Sequence, residues 1–175
     1  AHTFKPLYGG VSGTEDQKRY YNAFKEKYNG VTKWHEELQK HAVMKKHIRL
    51  PSGRQYAFPQ ARWTDWGAAT DRTAICNYPV QGFATADLLP MSLILLDRKV
   101  RELGMKSVIC NTVHDSIVMD VYPSEEKQCI DVMAECMLAI PMESKDRYNI
   151  EYNMPVGIEL KIGKNWLDLE EILTV

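Results

Sequence analysis

The stretch SVICNTVHDSIVMDV, residues 107–121, decides how the chain is read. Two apolar runs, 107–113 and 117–121, are short and β-rich, and read as buried strands. Between them stands a tight turn carrying His114 and Asp115. A carboxylate held between buried strands loses hydration worth several kcal/mol unless a cation or hydrogen bonds compensate. A divalent metal compensates most directly, and strand tips are where metal-dependent phosphoryl transfer often places its carboxylates. The alternative is a plain hairpin turn whose Asp bonds its own backbone.

Working outward, residue 104 is a helix-stopping Gly behind a long apolar segment, 81–103, in which Pro90 predicts a kink or a junction. Asn77-Tyr78-Pro79 is expected to break the chain between that helix and a short polar helix over 64–75. Beyond the hairpin, Ser124 is expected to cap a helix running to about Leu138. Residues 155–162 alternate as a strand with Val156, Ile158, Leu160 and Ile162 on one face, followed by a short tail over 166–172.

Toward the N-terminus, Thr14-Glu15-Asp16-Gln17 is a capping-box signature. It opens a helix to about Tyr28, with Tyr20, Tyr21, Phe24 and Tyr28 along one side. Asn29-Gly30 is expected to close it, and Thr32 to open a second helix to about Lys46. Residues 47–50 and 54–58 flank Pro51-Ser52-Gly53 as a hairpin. Residues 1–8 lack an N-cap and read as the end of a helix that began upstream. The expected class is α+β: a helical segment followed by helices flanking a small antiparallel sheet.

The four cysteines, Cys76, Cys110, Cys129 and Cys136, show no paired spacing. They read as core thiols in a reducing compartment, which places the chain in a cytoplasm. His35, His41 and His47 recur every six residues, which rotates them off a shared helix face and discounts a His metal site. Residues 1–50 hold ten Lys/Arg against five Asp/Glu, and residues 101–175 hold seven against fourteen. That asymmetry suits a polyanion-binding surface joined to a cation-binding site. No apolar run is read as long enough to cross a bilayer, and no membrane partner is expected.

Three blocks in order carry a resemblance. They are Phe4-Lys5-Pro6-Leu7-Tyr8-Gly9, Asn77-Tyr78-Pro79-Val80-Gln81-Gly82 with the following Phe83 to Asp87, and Val113-His114-Asp115-Ser116. Together with the ending VGIELKIGKNW, residues 156–166, they resemble the family A DNA polymerases of the bacterial DNA polymerase I and bacteriophage type. The resemblance covers essentially the whole chain. It implies that residues 1–60 are the C-terminal part of a fingers subdomain and 61–175 the C-terminal part of a palm. Phe4 and Tyr8 would be the aromatic positions of the fingers helix, packing near the incoming dNTP and the templating base; flat aromatic faces accept any base. Asn77 and Gln81 would face the minor groove of the primer–template DNA. There every base pair offers acceptors, so amide donors check its shape without reading sequence. Helix capping is the other use for that Asn. Arg72 is a third DNA-contact candidate, one position further from Asn77 than the family's arginine.

His114-Asp115 matches the family's His-Asp pair. Asp115 would be one of two aspartates holding two Mg²⁺ ions about 3.5–4 Å apart, which activate the primer 3′-hydroxyl and neutralise the triphosphate. His114 would lie beside the primer terminus. Ser116 departs from the commoner Glu. The family's nucleotide-binding Lys falls four residues before the Phe, one position upstream of Ala1. The first palm aspartate, the thumb and a proofreading exonuclease are likewise unmatched. The expectation is therefore a C-terminal portion of a DNA-templated DNA polymerase with an incomplete active site, inactive without an N-terminal partner. An expressed fragment, a proteolytic product or a split-gene subunit would each fit. The rival readings are a non-catalytic nucleic-acid-binding module and a His-Asp metal phosphohydrolase.

Overall fold

A computed structural model of the protein describes residues 14–174. The chain divides into two compact units, 1–80 and 81–175.

In the first unit, α1 spans Glu15–Lys27 behind the expected capping box. Thr14 Oγ1 accepts from the Gln17 N–H at 3.4 Å, and Gln17 Oε1 accepts from the Thr14 N–H at 3.0 Å. Helix α2, Asn29–Lys45, starts one residue later. Asn29 and Gly30 thus begin the second helix, where a break had been expected. Tyr28 serves both ends: its N–H donates to Phe24 O at 2.9 Å, and its carbonyl accepts from Val31 N at 3.0 Å. Left-handed Lys46 (φ 63°) ends α2. Strands β1, His47–Arg49, and β2, Gln55–Ala57, pair antiparallel as the sequence indicates, with Ile48 opposite Tyr56. Ala42, Ile48, Phe58, Ala61, Ala69 and Ile75 form the core of this unit.

The helix expected over 64–75 does not form until Arg72. Thr64 bonds Ala68 O through both its N–H (2.8 Å) and its hydroxyl (2.6 Å), and Trp63 bridges Ala69. A hydroxyl that satisfies a nearby carbonyl competes with helix formation. The buried Gln39 side chain then fixes this loop by accepting from Ala69 N at 3.1 Å.

Helix α3, Arg72–Phe83, contains Asn77, Tyr78 and Pro79, so the expected break is absent. An interior proline costs about 3 kcal/mol or more. Here the flanking turns are held by fully buried Ile75 and by Tyr78, whose ring lies 5.0 Å from Tyr56 and 5.9 Å from Phe58. After α3, residues Ala84–Leu88 wind as a π-helix, with Leu89 N bonded to Ala84 O, and α4 follows over Leu89–Glu102. Pro90 lies in the first turn of α4, immediately after the π-helix, where its missing N–H withdraws one donor from the preceding turn. It marks a junction, one of the two expected outcomes. The whole helical run Arg72–Glu102 contains an 18-residue window of mean hydropathy 1.3, long and apolar enough to cross a membrane by length and composition. The expectation that no such run exists is corrected: Asp87 is the only charge between residues 75 and 96.

In the second unit, β3 (Val108–Val113) and β4 (Ser116–Asp120) pair antiparallel, with a bulge between Ile109 and Asn111. A 3₁₀ turn over Pro123–Glu125 precedes α5, Glu126–Leu138, so Glu125 and not Ser124 stands at its N-cap. Helix α6, Ile140–Tyr148, ends at left-handed Asn149. The strand expected over 155–162 is confined to β5, Glu159–Ile162, and part of the expected tail forms its partner β6, Glu170–Thr174. Leu96, Ile117, Val132 and Cys136 form this unit's core, flanked by Leu93, Ile109, Met119 and Met133. Among the described residues the strands make three two-stranded antiparallel sheets, and the class is α+β as read.

The cysteines are free, but only Cys129 and Cys136 are buried; Cys76 is half-buried and Cys110 exposed. Cys110 falls at the bulge between Ile109 and Asn111 and lies on the same exposed side of the strand as Val108, opposite half-buried Ile109.

Candidate metal and nucleic-acid site

The β3–β4 ladder closes at Val113 opposite Ser116, leaving His114 and Asp115 as a two-residue connection. His114 has φ 54°. The left-handed region costs a residue with a side chain about 1–2 kcal/mol and is where hairpins of this length normally place Gly, Asn or Asp. Ser116 Oγ donates to Val113 O at 2.8 Å and staples the last pair, which gives Ser a structural use at that position.

Asp115 is exposed, as are His114 and Ser116. The expectation of a carboxylate between buried strands is therefore corrected. Ile117 is buried, but Val108 and Val113 are exposed and Ile109 is half-buried, so only one face of the hairpin meets the core. Desolvation does not force a metal onto Asp115. What the geometry offers is a carboxylate with no hydrogen bond or ion pair among the described residues, on a strained turn braced from one side. Its hard oxygens suit Mg²⁺, which needs several fixed oxygen ligands. Among the described residues no group of three or more His, Cys, Asp or Glu could hold a metal ion. These residues alone thus do not make a complete magnesium site. His41 and His47 do meet, ring centroids 5.9 Å apart, because the chain turns at Lys46, but no third ligand joins them.

Asn77 and Gln81 lie one turn apart in α3, both exposed. Asn77 sits in mid-helix, so the capping alternative does not apply. The Thr85 hydroxyl donates to the Gln81 backbone carbonyl at 2.7 Å, and the Gln81 side chain makes no hydrogen bond among the described residues. Arg72 is half-buried at the start of α3, and its charge is felt by His35 and Cys76. Burial first, and the Arg72 charge second, holds the His35 imidazole below its ordinary value. Phe4 and Tyr8 lie outside the described residues. Sequence reasoning did not single out Asp87, 8% exposed within the π-helix. Its signal was its isolation in an apolar run, and π segments frequently mark functional positions.

The family model of DNA polymerase family A matches residues 10–168. The DNA polymerase of Bacillus phage SP01 is 31% identical over 169 residues, covering 93% of this chain and 18% of that protein. DNA polymerase I of Lactococcus lactis subsp. cremoris is 32% identical over 156 residues, covering 88% of this chain and 16% of that one. The chain thus spans less than a fifth of the length of these relatives. Among solved structures, the POL domain of Pol1 from M. smegmatis, in complex with DNA primer-template and dNTP, superposes with a TM-score of 0.66 at 22% identity. That likeness covers 77% of this chain and 24% of that one and shows the shared fold. A model matching nearly the whole sequence, around an outward Asp on a two-residue hairpin, decides the assignment: the chain belongs to DNA polymerase family A.

Proposed function

We propose that this chain is the C-terminal portion of a DNA-templated DNA polymerase that adds dNTPs to a primer 3′-hydroxyl, and that Asp115 is one of its metal-binding palm carboxylates. The observation that carries this reading is the Asp115 turn: Asp115 is exposed and without a partner among the described residues, beside His114 in the left-handed region. Asp115 contributes one oxygen ligand to a two-magnesium site. A second carboxylate comes from polymerase sequence outside these 175 residues, so the chain by itself is inactive. His114 stands beside the primer terminus. Asn77 and Gln81 offer amide donors to the minor groove, where acceptors recur at every base pair; Arg72 supports them. Phe4 and Tyr8 stack near the incoming nucleotide, in a fingers part over 1–60 that precedes the palm part over 61–175. The apolar run within Arg72–Glu102 is covered by the rest of the polymerase and not by lipid, in a cytoplasm that keeps the thiols reduced.

The test is primer extension with Mg²⁺ by the chain mixed with a family A polymerase N-terminal piece, using wild type and Asp115→Ala. Extension by wild type and none by Asp115→Ala is expected. Extension by the unaccompanied chain overturns the claim of inactivity. DNA binding indifferent to Asp115→Ala, with no complementation, identifies a binding module instead. Phosphatase activity of the chain alone identifies a phosphohydrolase.

A further inference from the structure

Glu125 occupies the N-cap position of α5 but makes no side-chain bond to that helix. Its carboxylate points to the other end of the hairpin from Asp115. It accepts from Lys106 N–H at 2.9 and 3.0 Å, from Ser107 N–H at 2.9 Å and from Ser107 Oγ at 2.7 Å. The Ser107 hydroxyl, 1% exposed, in turn accepts from Tyr122 N–H at 2.9 Å. Lys106 lies just before β3 and Tyr122 just after β4. One carboxylate thus ties the entry strand, the exit strand and the first turn of α5 together. The Lys106 ammonium, 4.7 Å over the Tyr122 ring, adds a second link between the same two legs. The hydrogen bonds all favour the charged form, and they hold the Glu125 carboxyl below the usual glutamate value.

We propose that Glu125, acting through Ser107, is a positioning residue that sets the direction of the β3–β4 hairpin and hence the place of Asp115. The inference rests on reading Asp115 as a metal ligand. Among the described residues the hairpin has no third strand on either edge, and two strands alone are marginally ordered. Its orientation therefore depends on the apolar face around Ile117 and on the clamp at its base. From Ser107 to the turn is about 20 Å at roughly 3.3 Å per residue. Over that length, a tilt of about 3° moves the tip by about 1 Å. A misplacement of about 1 Å at a reacting centre costs on the order of 100-fold in rate.

The test uses the assembled polymerase carrying Glu125→Gln, Glu125→Ala and Ser107→Ala, with Asp115→Ala alongside. The readouts are single-nucleotide kcat per active site, dNTP KM, primer–template Kd, the Mg²⁺ concentration for half-maximal rate, and Tm. The expected result is kcat lowered by about 10- to 100-fold and a raised Mg²⁺ requirement, with KM and Kd near wild type. Ser107→Ala, which cuts only the Tyr122 link and one bond to Glu125, is expected to give the smaller loss. A merely structural role lowers Tm while leaving kcat per active site and the Mg²⁺ requirement unchanged, and that outcome overturns the inference; if Glu125→Ala does not fold, Glu125→Gln and Ser107→Ala decide it. If Asp115→Ala still extends primers, it is the proposed function that fails.

Discussion

Gly163 closes β5, and the chain returns over it to start β6. Asn165 makes that return: its Oδ1 accepts from Leu167 N at 2.9 Å and Asp168 N at 3.1 Å, and its Nδ2 donates to Asp168 Oδ2 at 2.7 Å. The curl brings the Asp168 carbonyl so close that a Cβ on Gly163 would lie 2.1 Å from its oxygen and 2.9 Å from its carbon. Gly163 is not in the left-handed region, so room and not torsion demands glycine here. Because the obstacle is backbone, Gly163→Ala must push the return strand away by more than about 1 Å to restore ordinary contact. The neighbouring Ile162–Glu170 pair cannot survive that shift. Overpacking costs about 1–3 kcal/mol and a lost ladder bond about 1 kcal/mol, so the expected destabilisation is about 3 kcal/mol. Gly104 is the control: φ is 61°, and nothing lies within 4 Å of its would-be Cβ. Gly104→Ala should cost only the torsional term of about 1 kcal/mol, and Gly104→Asn less, since Asn tolerates that conformation. Gly163→Asn should rescue nothing. Urea denaturation measures each cost, and amide exchange at Leu160 and Leu173 shows whether the hairpin opens locally. A Gly163→Ala chain within about 0.5 kcal/mol of wild type would refute the steric argument.

Three further outcomes follow from the geometry. His114→Gly relieves a strain of about 1 kcal/mol but adds a comparable unfolded-state entropy, whereas β-branched His114→Val adds strain. Denaturation midpoints should therefore place Gly near wild type and Val clearly below, while primer extension by the assembled polymerase drops in both. Ellman's reagent should modify exposed Cys110 quickly and reach Cys129 and Cys136 only on unfolding; burial also raises the Cys136 thiol above its ordinary value. For Glu125 the folded pKa is depressed, so its stabilisation is fully present above the ordinary glutamate value of 4.5 and is lost as pH falls through the folded value. The stability gap between wild type and Glu125→Gln should be constant above pH 5 or so and narrow below it; a gap that widens on acidification contradicts the assigned bonds.

Local signals were legible where the interactions that decide them are local. The Thr14–Gln17 capping box, the Gly53 hairpin and the two-residue turn at His114-Asp115 each lie within a few residues of sequence. The readings that needed correction were decided at a distance. Pro79 stays helical because Tyr78 stacks on residues of the β1–β2 region, and the Thr64 loop is held by Gln39, thirty positions away. Asn29 and Gly30 open α2 without a break because Tyr28 alone completes the turn between the two helices. Apolar alternation located β3 and β4 but overstated their burial, since only one face of a two-stranded ribbon meets the core and Cys110 lies on the other. The motif reading singles out Asp115, and the fold sets it in the exposed two-residue turn. The Glu125–Ser107 clamp was not, because eighteen residues separate its members and no periodicity joins them.

The central claim is that Asp115 ligates metal, and metal binding tests it more directly than turnover. Mn²⁺ titrated into the assembled polymerase with primer–template and an incoming nucleotide, followed by electron paramagnetic resonance, counts the bound ions. The account predicts two for wild type, and for Asp115→Asn the loss or marked weakening of at least one, with DNA affinity retained. Unchanged stoichiometry and affinity in Asp115→Asn would contradict it.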